Sequence, residues 1–117
     1  MRHRVTTKKF GRDRDHRKAL ERNLLTALVL HEKIQTTQAK AKMLKKSFDK
    51  LVTRLTDIAP HNQVRVLKAE LYGEASGKKM KDVLLPRLAV KNSGFTRTTK
   101  LYNRIGDDAP VVQIEIM

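Results

Sequence analysis

The chain has 117 residues with 26 Lys/Arg against 12 Asp/Glu, a formal net charge of +14, 39% hydrophobic residues and 4% aromatics. That length suits one domain with a real core, and the cationic surplus makes a polyanion, nucleic acid first, the expected partner. No Cys is present for disulfides or thiolate metal sites, no Trp for anchoring to a membrane surface, and no apolar run suits a bilayer span or a secretory signal, so a soluble protein is expected.

Met1 to Arg12 carries five cations (Arg2, Arg4, Lys8, Lys9, Arg12) and no acid. Such a segment cannot build a core, and the expectation is a basic arm over 1–12 that orders only on an anionic partner, followed by a single domain over 13–117. Asp13 and Asp15 are both suited to cap a helix start. Behind them Leu20, Leu24, Ala27 and Leu28 recur at helical spacing, with Leu25 and Val29 as a second row, predicting a central helix over 14–31.

Ile34-Gln35-Thr36-Thr37 favours an extended segment, with Thr37 capping the next helix. That helix is marked by Ala41, Leu44, Phe48, Leu51, Leu55 and Ile58, and Lys40, Lys42, Lys45, Lys46, Lys50 and Arg54 occupy most of its other positions up to Pro60. A shorter helix is predicted over 62–72 through Val64, Leu67 and Leu71. Another is predicted over 76–85 through Met80, Val83 and Leu84, stopped by Pro86. The β-branched run 95–101 and the alternating run 111–116 read as strands flanking a Gly106-Asp107-Asp108-Ala109-Pro110 turn. The expected fold class is α+β: about four helices with a small, mostly antiparallel sheet formed by the 34–37 and C-terminal strands.

No catalytic constellation emerges. Asp107 and Asp108 are explained by turn hydrogen bonding and Asp13 and Asp15 by helix-start electrostatics. His3, His16, His31 and His61 lack metal-ligand spacing, and Ser47, Ser76 and Ser93 lack a nucleophile context. No metal, no cofactor and no small-molecule substrate is expected. Three basic surfaces remain. The first continues the arm through Arg14, Arg17, Lys18 and Arg22. The second is the lysine row of the second helix, against which only Asp49 and Asp57 stand. The third runs from Arg87 through Lys91, Arg97 and Lys100 to Arg104. Tyr102, Phe10 and Phe95 are aromatic groups suited to base stacking, with core packing the stronger expectation for Phe95.

Met1-Arg2-His3-Arg4, His16-Arg17-Lys18-Ala19-Leu20, Arg22-Asn23-Leu24, Ile34-Gln35-Thr36-Thr37-Gln38-Ala39-Lys40-Ala41-Lys42, Gly94-Phe95-Thr96-Arg97 and the Gly106 to Pro110 turn resemble, in order and spacing, the bacterial large-subunit ribosomal protein seventeen family. The resemblance spans nearly the whole chain, with 60–91 matching in element order only. It implies a structural protein without enzymatic activity that binds large-subunit rRNA near the solvent-side opening of the peptide exit tunnel. The implied setting is a cytoplasmic ribosome, where the chain sits as a monomer among neighbouring large-subunit proteins, away from membranes. By resemblance, Arg2, His3, Arg4, His16, Arg17, Thr36, Thr37, Lys40 and Lys42 contact RNA. Charge alone adds Lys8, Lys9, Arg12, Arg14, Arg22, Arg97, Lys100 and Arg104. A free DNA-binding, nucleoid-type protein is the alternative that the same charge permits.

Overall fold

Asp13 decides where the first helix begins: its carboxylate accepts the His16 amide at 2.8 Å, and α1 runs Arg14–His31 with Asp15 in its first turn. Of the two aspartates suited to the cap, Asp13 takes it and Asp15 serves the positive end of the helix dipole. The computed structural model describes His3 and Lys8–Met117; Arg2 and Arg4 lie outside the described residues, as does half of the arm. Its last residues form a tight turn, in which the Arg12 amide donates to the Lys9 carbonyl at 3.1 Å and both Phe10 and Gly11 take positive φ.

After α1 come β1 (Lys33–Thr37), α2 (Gln38–Asp57) and α3 (Pro60–Glu70). A continuous helical stretch follows, made of α4 (Glu74–Lys79), a π-helical turn Met80–Leu84 and α5 (Leu85–Leu88), and then β2 (Thr96–Asn103) and β3 (Pro110–Ile116). Four helical bodies and a three-stranded antiparallel sheet of order β1-β3-β2 make the α+β domain that the pattern predicts. In the sheet Ile34 faces Ile114 and Thr98 faces Ile114 from the other side, so Val112, Ile114 and Ile116 of the central strand share the helix-covered face with Ile34 and Thr96.

The core joins Leu25, Leu28 and Val29 of α1 to Leu44, Phe48, Leu51, Val52 and Leu55 of α2, and closes on Met80, Leu84, Leu88, Phe95 and Ile114. Of the first row read from the sequence, Leu28 is buried while Leu20, Leu24 and Ala27 are only half-buried; the second row, Leu25 and Val29, goes inward. Phe95, 4% exposed, is a core residue, which removes it from the stacking candidates.

Three expectations in the α3–α5 region are corrected. Pro86 does not stop its helix, which continues to Leu88. In the π-turn the Leu85 amide reaches back five residues to the Met80 carbonyl, and Pro86 follows in the first turn of α5, the helical position where its missing N–H is tolerated. The extra residue also rotates the register, so Leu85 and Leu88 enter the core while Val83 is 53% exposed rather than buried. Val64 likewise turns outward, because Gln63 takes the inward position and donates from Nε2 to the Leu55 carbonyl at 2.8 Å.

Two polar joints lock these layers. Glu32 sits at the end of α1 with φ +60. Its amide donates to Leu28 and its carbonyl accepts the Ile116 amide. Its carboxylate pairs with Lys79 at 3.2 Å and Arg87 at 2.9 Å, tying α1 to the central strand and to both ends of the π-turn. The Arg87 and Lys79 bonds hold this carboxyl below its ordinary value. The second joint caps the end of α3. The Arg22 guanidinium donates to the Lys68 and Leu71 carbonyls at 2.7 and 2.9 Å and stacks on the Tyr72 ring at 4.1 Å. The Thr26 hydroxyl accepts the Tyr72 amide.

A depressed carboxyl stabilises above its ordinary value of 4.5 and stops doing so as pH falls through the lower folded value. Glu32→Gln is therefore expected to destabilise the protein at pH 7 by up to about 1 kcal/mol for a pair this exposed, read as a lower thermal midpoint. The gap to the parent should narrow below pH 4.5 and then close; a gap independent of pH would contradict the ion-pair account. For Arg22→Lys, which keeps the charge but loses the planar fork, urea unfolding without RNA should show a loss of about 1–2 kcal/mol. An unchanged midpoint would mean that Arg22 does not cap α3.

Candidate nucleic-acid interface

The cations expected to meet a polyanion divide into those held by the protein itself and those left open. Arg22 belongs to the first group, through the carbonyls and ring just described. Arg104 does too: its guanidinium lies across the Asp107 carboxylate, with Nε at 3.1 Å from Oδ1. That contact and the Ala109 amide push Asp107 down to about 2, so the carboxylate stays charged in any neutral solution. The Asp107-to-Ala109 bond is the turn hydrogen bonding expected of this acid. Arg97 is drawn to Glu115 at 3.8 Å on the outer sheet face, where Lys33 approaches the same carboxylate at 3.8 Å. Thr99 shares that face, as strand spacing requires. Lys100 is the one cation of the trio Arg97, Lys100 and Arg104 with no ion pair among the described residues.

The start of α1 is different. Lys8, Lys9, Arg14, His16 and Lys18 are exposed, and no acid pairs with them among the described residues. Arg12 and Arg17 are half-buried and brace the turn, with Arg12 donating to the Phe10 carbonyl at 2.7 Å and Arg17 to the Arg12 carbonyl at 3.1 Å. His3 is exposed. These two arginines thus shape the approach, and the solvent-facing groups around them supply open charge.

The start of α2 is the second open region. Thr37 occupies the cap position with extended backbone, as expected, yet its side chain makes no capping bond. No acid stands in the first turn of α2. Free amides at the positive end of a 20-residue helix, next to the Lys40 and Lys42 side chains, form a natural phosphate seat. Thr36 opposes Val112 on the helix-facing side of the sheet and is half-buried, so its hydroxyl lies beside this seat rather than at its centre. From Lys42 the exposed row continues through Lys45, Lys46 and Lys50. Asp49 is the acid nearest this row, and burial pushes its carboxyl up against the pull of Lys45. Further along, Arg54 is paired with Glu70 at 3.7 Å, so the open lysines end at Lys50.

These two regions are not brought together. Glu21, in the first half of α1, hydrogen-bonds Ser47 in the middle of α2, whereas the far end of α1 leads through a five-residue strand into the start of α2. The open start of α1 and the open start of α2 are thus separated by about the 27 Å length of an 18-residue helix. Sequence reasoning could not see that Arg22 and Arg104 were spent internally. Their acceptors are backbone carbonyls 46 and 49 residues away in one case, and an acid beyond the counted basic run in the other.

A cleft of about 630 Å³ between α3 and α4, lined by Val64, Leu67, Tyr72 and Gly77, has acids at its rim, of which Glu74 is paired with Lys78 at 3.4 Å. Among the described residues no group of three His, Asp or Glu side chains is placed to hold a metal, and no helix is long and apolar enough to cross a membrane.

Residues 20–117 match the family described as Ribosomal protein L17. The large ribosomal subunit protein bL17 of Thermomicrobium roseum is 39% identical over 117 residues, covering 100% of this chain and 99% of the relative. That of Chloroflexus aurantiacus is 38% identical over 117 residues with 100% of both chains covered. The large ribosomal subunit protein bL17m of Schizosaccharomyces pombe is 42% identical over 112 residues, 94% of this chain and 54% of the relative. With a family match over five-sixths of its length and relatives aligned end to end, this chain belongs to the ribosomal protein L17 family.

Proposed function

We propose that the chain is a structural constituent of the large ribosomal subunit that binds and stabilises large-subunit rRNA, acting as a monomer among neighbouring proteins near the peptide exit tunnel. The observation that carries this reading is the pair of open cationic regions at opposite ends of α1, in a chain whose family is ribosomal. Two phosphate-binding regions some 27 Å apart suit a part that bridges separate RNA elements. A single duplex-reading helix would place its cations on one face.

In this mechanism the first set comprises the arm residues Arg2, His3, Arg4, Lys8 and Lys9 with Arg14, His16 and Lys18; RNA phosphates neutralise it and seat α1. The second set, Thr36, Thr37, Lys40 and Lys42 with Lys45, Lys46 and Lys50, takes a neighbouring backbone at the start of α2. Lys100 offers a third contact. Arg12 and Arg17 hold the turn between arm and helix, and Arg22, Arg97 and Arg104 act mainly within the protein. Lys/Arg contacts to phosphate carry little sequence information, so selectivity comes from RNA shape. The role is structural rather than enzymatic, and its place is the ribosome.

Sucrose-gradient sedimentation of lysate at moderate salt tests this directly: the chain should travel with large subunits, and recovery on chromatin instead would favour the nucleoid alternative. For purified protein and rRNA, about six neutralised phosphates correspond to a log–log salt slope of about −5. Lys42→Gln, Lys45→Gln and Lys46→Gln together should flatten it to about −2. A parent slope near zero would refute the electrostatic mechanism, and an unchanged slope in the triple variant would place the contact elsewhere.

A further inference from the structure

The β2–β3 turn is built unlike the rest of the surface. Ile105 at its apex is 100% exposed, Tyr102 57% and Leu101 39%. The apex is not loose. The Arg104 amide donates to the Ala109 carbonyl at 2.9 Å, the Asp108 amide to the Arg104 carbonyl at 3.0 Å, and Asp107 clamps both the Arg104 guanidinium and the Ala109 amide. Gly106 at φ +107 and Asp108 at φ +54 complete a turn few other residues would adopt. The fold therefore fixes an apolar side chain in water, with little ordering left to lose when something covers it.

Charge says what that cover is. Residues 101–110 hold one Arg and two Asp, a net of −1 in a chain of +14. The Arg is cancelled by Asp107, whereas Asp108 is exposed and has no ion-pair partner among the described residues. A phosphate backbone would gain nothing from Ile105 and would be repelled by Asp108. A basic protein would gain from both. Strand addition is disfavoured as the mode of contact, because the bulge between Lys100 and Tyr102 breaks the regular edge of β2 next to the tip.

We propose that the β2–β3 tip is a protein-docking element: Ile105 seats in an apolar recess of a basic neighbouring protein of the particle, Leu101 and Tyr102 flank it, and Asp108 meets a Lys or Arg at the rim. This inference rests on the assignment to the large subunit. It gives the domain a division of labour, with cationic helix starts for RNA and a neutralised apolar tip for protein.

A benzophenone amino acid placed at position 105 of the full chain, assembled into large subunits in cells and irradiated in the purified particles, tests it. The expected result is an RNase-resistant adduct with one other subunit protein, identified by mass spectrometry. An adduct with rRNA alone, or none from particles that contain the chain, overturns the inference and leaves the assignment standing. A chain absent from large subunits overturns both. Two further variants separate the chemistries, since Ile105 is fully exposed and neither should change the melting curve of the free protein. Ile105→Asp and Ile105→Arg should each be released from subunits by a salt wash about tenfold more readily, with Arg the worse against a basic partner. Tighter retention of Ile105→Arg would identify RNA as the partner and overturn the proposal.

Discussion

Scarcity of carboxylates is the constraint on which the rest depends. Twelve acids serve a chain with 26 cations, so the fold can neutralise only chosen places. Glu32 is used where α1, the central strand and the α4–α5 stretch converge, and there it holds two cations at once. Glu115 stands between Lys33 and Arg97 at the outer sheet face, Glu70 restrains Arg54, and Asp107 takes Arg104. Each of these is a joint between elements or the closure of a turn. Surface ion pairs contribute little energy individually, but their placement decides which cations remain open. What remains is concentrated at the starts of α1 and α2.

That distribution explains how an apolar core and an open cationic surface coexist in so small a domain. The helix α2 turns Leu44, Phe48, Leu51, Val52 and Leu55 inward and leaves Lys42, Lys45, Lys46 and Lys50 on the other side. Burial of the first set supplies the driving force for folding. It also holds the second set in a fixed row despite the mutual repulsion of like charges. The sheet does the equivalent for the tip: its central strand is anchored by Ile114 and Ile116, and the hairpin extends from that anchor beyond the helices, so nearly all of β2 is exposed. The open cationic row and the exposed tip thus have separate supports.

Legibility in the sequence followed the range of the interactions. The 3.6-residue period of α2 and the two-residue period of β3 are local, and both elements stand where the pattern put them. The choice between Asp13 and Asp15 needed only three residues of context, yet both satisfied it; the hydrogen bond to His16 settles it. Pro86 misled because it falls in the first turn of the α-helical segment that follows the π-turn, where a proline is tolerated, and the register change that moves Val83 out and Leu85 in has no local signature. Arg22 looked like one more member of a basic tract, because its carbonyl partners come from another helix. Residue type and spacing revealed the amount of positive charge; only the tertiary fold reveals which part of it is already satisfied.

The cap of α2 joins stability to function. A Thr at this position ordinarily satisfies one of the orphaned amides, worth about 1 kcal/mol, and an acid in the first turn adds to that through the dipole. Here the Thr37 side chain makes no such bond, and Lys40 and Lys42, the charges near this helix start, are of the wrong sign for the dipole. The free protein thus keeps α2 by its buried face while its first turn is held below the stability its own side chains could give. A phosphate at that turn would satisfy the amides, complement the dipole and offset the lysines together, so it binds the folded helix and not the unfolded chain. By mass action such a ligand stabilises the fold in proportion to its affinity. The cost left in the helix start is therefore one that a bound phosphate would relieve and that the protein's own side chains do not.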